Sequence, residues 1–144
     1  MIIIIIIKRS GHMPEKITLK RSRQRDAIVA FLKTRKDHPT ADMVYQEIRN
    51  TIPNISLGTV YRNLAQLSER GEILRLPCDG KMDHFDADIR PHYHFICNQC
   101  GCVKDIELPY ANALDQQAID HFDGIITKHS LLFEGLCGDC ALSE

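Results

Sequence analysis

The chain has 144 residues, 44% of them hydrophobic and 26% charged, with a formal net charge of -1. That length fits one domain or two small ones, and the composition excludes a fibre, a collagen or a disordered chain. No apolar run approaches the roughly 18 residues of a membrane span, and six Cys with seven His point toward metal or redox chemistry. The near-neutral total hides an asymmetry. Met1 to Leu76 carries 14 Lys+Arg against 7 Asp+Glu, and Pro77 to Glu144 carries 4 against 12. A basic first half joined to an acidic second half predicts two modules with different partners, nucleic acid for the basic one.

Met1 is followed by six Ile and then by Lys8-Arg9-Ser10-Gly11-His12-Met13. Six Ile are too short an apolar region for a signal peptide, and the basic residues follow it instead of preceding it. A histidine-tag codon run shifted by one base reads as Ile repeats. Residues 1–12 are therefore read as an altered tag and set aside, and the remainder is expected to be cytoplasmic.

Apolar Ala27, Ile28, Phe31 and Leu32 recur at helical spacing over residues 24–35. Thr40 is an N-cap for a second helix with Val44 and Ile48 on one face. Pro53-Asn54 breaks it. Ser56 caps a third helix whose stripe is Leu57, Val60, Leu64 and Leu67, and Gly71 ends it. Two short strands, roughly 72–77 and 81–86, flank Asp79-Gly80, a strong hairpin signal. The expected class is α+β: an N-terminal winged helix-turn-helix over residues 13–86, a linker over 87–91, and a small α/β module over 92–144. In that second module, strands are predicted over 92–97 and 103–107, a helix over 110–121, and a strand or strand pair over 125–134.

The third helix carries Thr59, Tyr61, Arg62, Asn63 and Gln66 off its apolar stripe. Donors and an aromatic in the first turns suit a recognition helix in a major groove. Arg takes guanine in a bidentate way, and Tyr packs on a thymine methyl or holds a phosphate. Lys20, Arg21, Arg23 and Arg25 sit where phosphates or a minor groove would meet the first helix. The plainer reading is a three-helix scaffold with a solvated polar face.

Cys97-x-x-Cys100 and Cys137-x-x-Cys140 are two knuckles, each able to present two sulfurs to one ion. Together they complete a closed, tetrahedral four-thiolate zinc site of structural character. Disulfides or a redox pair are the alternatives, although the βαβ context of a thioredoxin motif is missing. Cys102 leaves the choice of ligand slightly open. Cys78 and Cys102 are otherwise read as free thiols. His92 and His94 lie two apart on a predicted strand and so share a face. Asp105 lies on the next strand, Asp86 ends the wing, and His38 precedes the second helix. Nitrogen and carboxylate donors suit Fe(II), Mn(II) or Zn(II). Ligands drawn from both modules would couple metal occupancy to their relative orientation. His84, His121 and His129 read as ordinary.

Several runs now resemble one family. They are His38-Pro39-Thr40-Ala41-Asp42, Thr59-Val60-Tyr61-Arg62-Asn63-Leu64, His92 through Gly101, and Cys137-Gly138-Asp139-Cys140. They resemble the ferric-uptake-regulator (Fur) superfamily, in order, over nearly all of residues 16–140. Within it the chain is most similar to the peroxide-stress branch, because Asp105 stands where iron-sensing members usually have Glu.

The resemblance implies a homodimeric repressor that binds pseudo-palindromic double-stranded operator DNA and is not an enzyme. It carries regulatory Fe2+ or Mn2+ onto His38, Asp86, His92, His94 and Asp105, and structural Zn2+ onto Cys97, Cys100, Cys137 and Cys140. It also implies that iron-catalysed oxidation by hydrogen peroxide falls on His38 or His92 and releases the operator. From the helix pattern and the basic residues before it, DNA contacts are expected at Lys20, Thr59, Tyr61 and Arg62. Arg23, His84 and Arg62 depart from the usual pattern, Arg62 toward iron-sensing members. An iron- or zinc-responsive uptake repressor is the main alternative. A zinc-stapled thiol redox protein and a metalloenzyme at the His/Asp cluster are alternatives of other classes.

Overall fold

The computed structural model describes residues 22–78 and 81–143. The expected tag, Lys20 and Arg21, and the Asp79-Gly80 turn lie outside the described residues.

Helices α1 (Arg23–Lys33), α2 (Ala41–Thr51) and α3 (Leu57–Glu69) begin at polar caps. Ser22, Thr40 and Ser56 accept hydrogen bonds from the backbone N–H of Arg25, Met43 and Thr59 respectively. Each cap satisfies a donor that the first helical turn would otherwise leave unpaired. At the other end of α3 the N–H of Glu72 donates to Leu67 O and that of Gly71 to Ser68 O. Gly71 has φ +69, so the helix closes in a Schellman turn.

The three helices bury Ile28, Leu32, Val44, Ile48, Val60, Leu64 and Leu67 in one core, which Ile73 and Phe85 extend. Burying each such side chain is worth about 1.5–3 kcal/mol. The wing is the antiparallel pair β1 (Leu74–Leu76) and β2 (His84–Asp86), with Leu74 opposite Asp86. Phe85 points from β2 into the helical core, and this fixes the wing to it.

The second part of the chain is a three-stranded sheet in the order β4-β3-β5. Strand β3 (Tyr93–Cys97) is central. It pairs antiparallel with β4 (Val103–Ile106) and parallel with β5 (Leu132–Gly135). Helix α4 (Asn112–Asp120) fills the crossover, and α5 (Gly138–Ala141) follows β5.

The last strand is shorter and later than its sequence pattern suggests, because the segment before it is held by side chains. Tyr110 and His129 exchange hydrogen bonds at 3.0 and 3.1 Å. The Tyr93 hydroxyl meets His129 Nε2 at 2.7 Å, and His129 Nδ1 meets Asp115 at 2.7 Å. This chain of contacts ties α4 to the back of β3.

Wing and sheet touch directly. Cys78 and Leu76 pack against Ile96 and Val103, and Lys81 Nζ donates to the carbonyls of Cys97 and Asn98, each at 3.2 Å.

Candidate metal centres and nucleic-acid face

Four separate stretches converge on one point. His38 comes from the turn between α1 and α2, and Asp86 ends β2. His92 and His94 come from the start of β3, and Asp105 lies directly opposite His94 in the β3–β4 register. His92 precedes the regular strand by one residue, yet its ring still lies 4.3 Å from that of His94.

All three histidines aim Nε2 at the same two carboxylate oxygens. Asp86 Oδ2 lies 3.2, 3.0 and 3.2 Å from the Nε2 of His38, His92 and His94. Asp105 Oδ1 lies 2.8, 3.2 and 3.6 Å from the same atoms. Neighbouring donors on a metal at about 2.1 Å stand about 3 Å apart. The five donor atoms, all within 4.8 Å of one another, therefore have the dimensions of a coordination shell. Three nitrogens and two carboxylates suit iron, manganese or zinc.

The surroundings orient the rings. His92 Nδ1 donates to Arg90 O at 2.6 Å, which leaves Nε2 free to coordinate. His38 is buried with φ +53, and its Nδ1 has no hydrogen-bond partner, so only Nε2 has partners. The turn is clamped by the wing: His84 Nδ1 donates to His38 O at 2.5 Å and Phe85 N–H to Pro39 O at 3.0 Å. His84 is thus a site residue that sequence reasoning missed. A side chain that grips a backbone carbonyl leaves no spacing pattern to read.

Electrostatics matches the geometry. Burial pushes the Asp86 carboxyl up, but hydrogen bonds from His38, His94 and the Asp88 N–H outweigh it and hold the group well below the usual carboxylate range. Burial pushes His38 down, but Asp86 and Asp105 more than reverse this and raise it.

The cysteines form a second cluster. Cys97, Cys100, Cys137 and Cys140 each offer a sulfur within 4.8 Å of the others, and the Cys100 and Cys137 sulfurs are 3.8 Å apart. Thiolates about 2.3 Å from a tetrahedral zinc stand about 3.8 Å apart, well beyond the ~2.0 Å of a disulfide. The N–H groups of Cys100 and Cys137 donate to Cys97 Sγ at 3.5 and 3.4 Å, and these bonds lower the Cys97 thiol to about 5. A sulfur held as thiolate is what a metal needs. Hydrogen bonding to Cys137 and burial push Cys140 up to about 12.

On α3, Tyr61 is 46% exposed, and its hydroxyl donates to Asp42 at 3.4 Å. Arg62 is exposed, and its guanidinium donates to Thr59 Oγ1 at 3.2 Å. Two residues of the expected donor cluster make contacts within the protein. Asn63 is buried and donates to Thr59 O at 2.9 Å, and Gln66 accepts from Arg25 at 3.0 Å. Both sit on the flank of the apolar stripe, where α1 packs.

A winged helix that shares one metal-ligand cluster with an adjoining α/β sheet defines a metal-responsive transcription regulator. Residues 16–133 match the Ferric uptake regulator family, and the chain belongs to it. The peroxide-responsive repressor PerR of Staphylococcus saprophyticus is 39% identical over 117 residues, covering 81% of this chain and 79% of its own length. The peroxide stress regulator of Campylobacter jejuni superposes with a TM-score of 0.71 at 28% identity, over 81% of this chain and 88% of its own. The ferric uptake regulator of Francisella tularensis, solved with iron, gives 0.72 at 25% identity, over 88% and 98%.

Proposed function

We propose that the protein is a dimeric, metal-dependent repressor that reports hydrogen peroxide by oxidation of a ligand histidine and then releases its operator. The observation that carries this is the shared centre: His38 and Asp86 belong to the helix-and-wing part, and His92, His94 and Asp105 to the sheet. An ion held by all five stabilises one relative orientation of the two parts, so losing one ligand weakens DNA binding at a distance.

Cys97, Cys100, Cys137 and Cys140 hold structural zinc. The other five residues hold regulatory iron or manganese. Iron(II) held there would supply the redox catalysis by which hydrogen peroxide oxidises a ligand imidazole, one peroxide oxygen replacing a ring hydrogen as hydroxyl and the other leaving as water. The chain's own part is to hold Nε2 of each ring at the metal and to expose one of them. His92 is the most open, at 18% side-chain exposure against 2% for His38 and 7% for His94. The relatives named as peroxide-responsive repressors favour this branch.

Thr59, Tyr61 and Arg62 on α3, with Lys20 ahead of α1, contact DNA. A twofold dimer reads a pseudo-palindrome. The dimer is supported by apolar surface left open on the second part of the chain. Helix α4 buries none of its residues, and Phe122, Leu132, Phe133 and Leu136 are exposed. A regulator of this kind acts in the cytoplasm. Among the described residues, no helix is long and apolar enough to cross a membrane.

Tryptic mass spectrometry of the Fe(II)-loaded protein, before and after stoichiometric peroxide, tests the proposal. A gain of one oxygen on the His38 or His92 peptide, absent from an Mn(II)-loaded control, is the expected result. Intact metal-dependent DNA binding without that gain would favour an iron- or zinc-responsive uptake repressor, the reading toward which Arg62 and the iron-bound Francisella relative lean. Oxidation confined to Cys78 or Cys102 would indicate a thiol switch.

A further inference from the structure

We propose that the cleft between the wing and the sheet binds a medium-chain carboxylate, and that this ligand tightens the regulatory metal site. The coupling rests on the assignment of that metal site to the His/Asp cluster; the carboxylate site itself does not.

Three parts of the chain enclose a cavity of about 340 Å3. Small-molecule sites span about 300–1,000 Å3. Leu74 and Leu76 come from the wing, Ile89 from the segment that joins it to the sheet, and Leu131 and Leu132 from the entry to β5. Leu132 stands beside His94 in the β3–β5 register, so it shares the sheet face that carries the metal ligands. Ile89, Leu131 and Leu132 are exposed, which leaves apolar surface that a hydrocarbon chain would cover.

Charge selects the ligand. Pro77 to Glu144 carries 4 Lys+Arg against 12 Asp+Glu. Two of those four cations, Arg90 and Lys128, line this cavity together with Arg75 of the wing, and among the described residues no Asp or Glu lines it. Arg75 is paired with Asp83 and Arg90 with Asp88, at 2.6 Å each. Lys128 is exposed and has no such partner among the described residues. Apolar walls with a cationic rim, in an otherwise acidic module, suit one negative head on a hydrocarbon tail. Each methylene taken from water into the walls raises affinity about fourfold, and the rim selects the sign of the head.

The same cavity reaches the metal ligands, because His92 and His94 form part of its wall. Its other walls belong to the wing and the sheet, so the cavity persists only while these two are held together. That is also the arrangement in which the five ligands meet. A carboxylate in the cavity and an ion on the His/Asp cluster therefore favour one arrangement, and each raises the affinity for the other by the same factor.

The test titrates the zinc-loaded full chain with decanoate, kept below its micelle concentration, by isothermal calorimetry with and without Mn(II). Saturable binding of one decanoate per chain is expected. Octanoate, shorter by two methylenes, should bind about fifteenfold more weakly, and decyltrimethylammonium, a cation with the same tail, should not bind. Lys128→Glu and Ile89→Trp should each weaken decanoate binding about tenfold. Both side chains are exposed, and thermal melts matching wild type confirm that the variants are folded. Saturating decanoate should raise Mn(II) affinity about fivefold in wild type and not in Lys128→Glu.

Equal binding of the cationic amphiphile, or decanoate affinity unchanged in both variants, would overturn the proposal by reducing the cleft to a greasy surface. No saturable binding would overturn it too, and is the result if a second copy of the chain covers the cavity. Binding that leaves Mn(II) affinity unchanged would overturn the coupling. A chain that takes decanoate but no Mn(II) would remove the metal assignment and leave the carboxylate site standing.

Discussion

His38 occupies the left-handed region, at φ +53, which costs a non-glycine residue about 1–2 kcal/mol. The wing holds it there, with His84 gripping its carbonyl and Phe85 the next one. His84→Ala should weaken Mn(II) binding about tenfold, measured by isothermal titration of the demetallated regulatory site. His84→Asn, which keeps a donor near the Nδ1 position, should restore most of the loss. Equal affinity in His84→Ala and wild type would mean the turn holds itself. On the DNA face, Tyr61→Ala and Arg62→Ala should each weaken operator binding by about 1–3 kcal/mol. Unchanged affinity in a titration at fixed salt would remove that residue from the readout. Asn63 marks the limit of sequence reasoning at this scale. As a polar residue in the recognition helix it resembles a reader, but its amide is spent on its own helix.

At the scale of the element, the caps and stripes of the first module were legible because they are local. The caps Thr40 and Ser56, the stripe Val60, Leu64 and Leu67, and the closing Gly71 all depend on neighbours within a turn or two. A Cβ at Gly71 would meet nothing within 4 Å, so its constraint is purely conformational. Gly71→Ala should cost about 1–2 kcal/mol, lowering the melting temperature by about 2–8 °C. A melt coincident with wild type would show that the turn relaxes without strain. Strand β5 was blurred for the opposite reason. Its partner β3 lies across a long crossover, its side chains are largely exposed, and no alternation marks it. The Tyr93–His129–Asp115 chain that sets its start joins residues far apart in sequence.

For the whole molecule, both metal clusters could be listed from the sequence because their residue types are distinctive. Their grouping followed from the paired Cys spacing and, for the five His and Asp, from the family resemblance; the distances and burial at the shared site did not, since they depend on how the wing lies against the sheet. That placement is also set by metal-free contacts, namely Cys78 against Ile96 and Val103, and Lys81 on the carbonyls of Cys97 and Asn98. The zinc knuckle therefore supports the wing as well as the sheet. Cys97→Ser should abolish stable zinc and, with it, the dimer, as read by metal analysis and light scattering. A folded, zinc-free dimer of that variant would contradict this.

The two cysteine pairs are also separated in time. A chain made from its N-terminus completes the Ile28–Phe85 core well before Cys137 exists. At about 5–20 residues per second, the stretch from Cys100 to Cys137 takes a few seconds to synthesise. For that interval the first pair exists without the second, so a closed four-sulfur shell can form only after nearly the whole chain has been made.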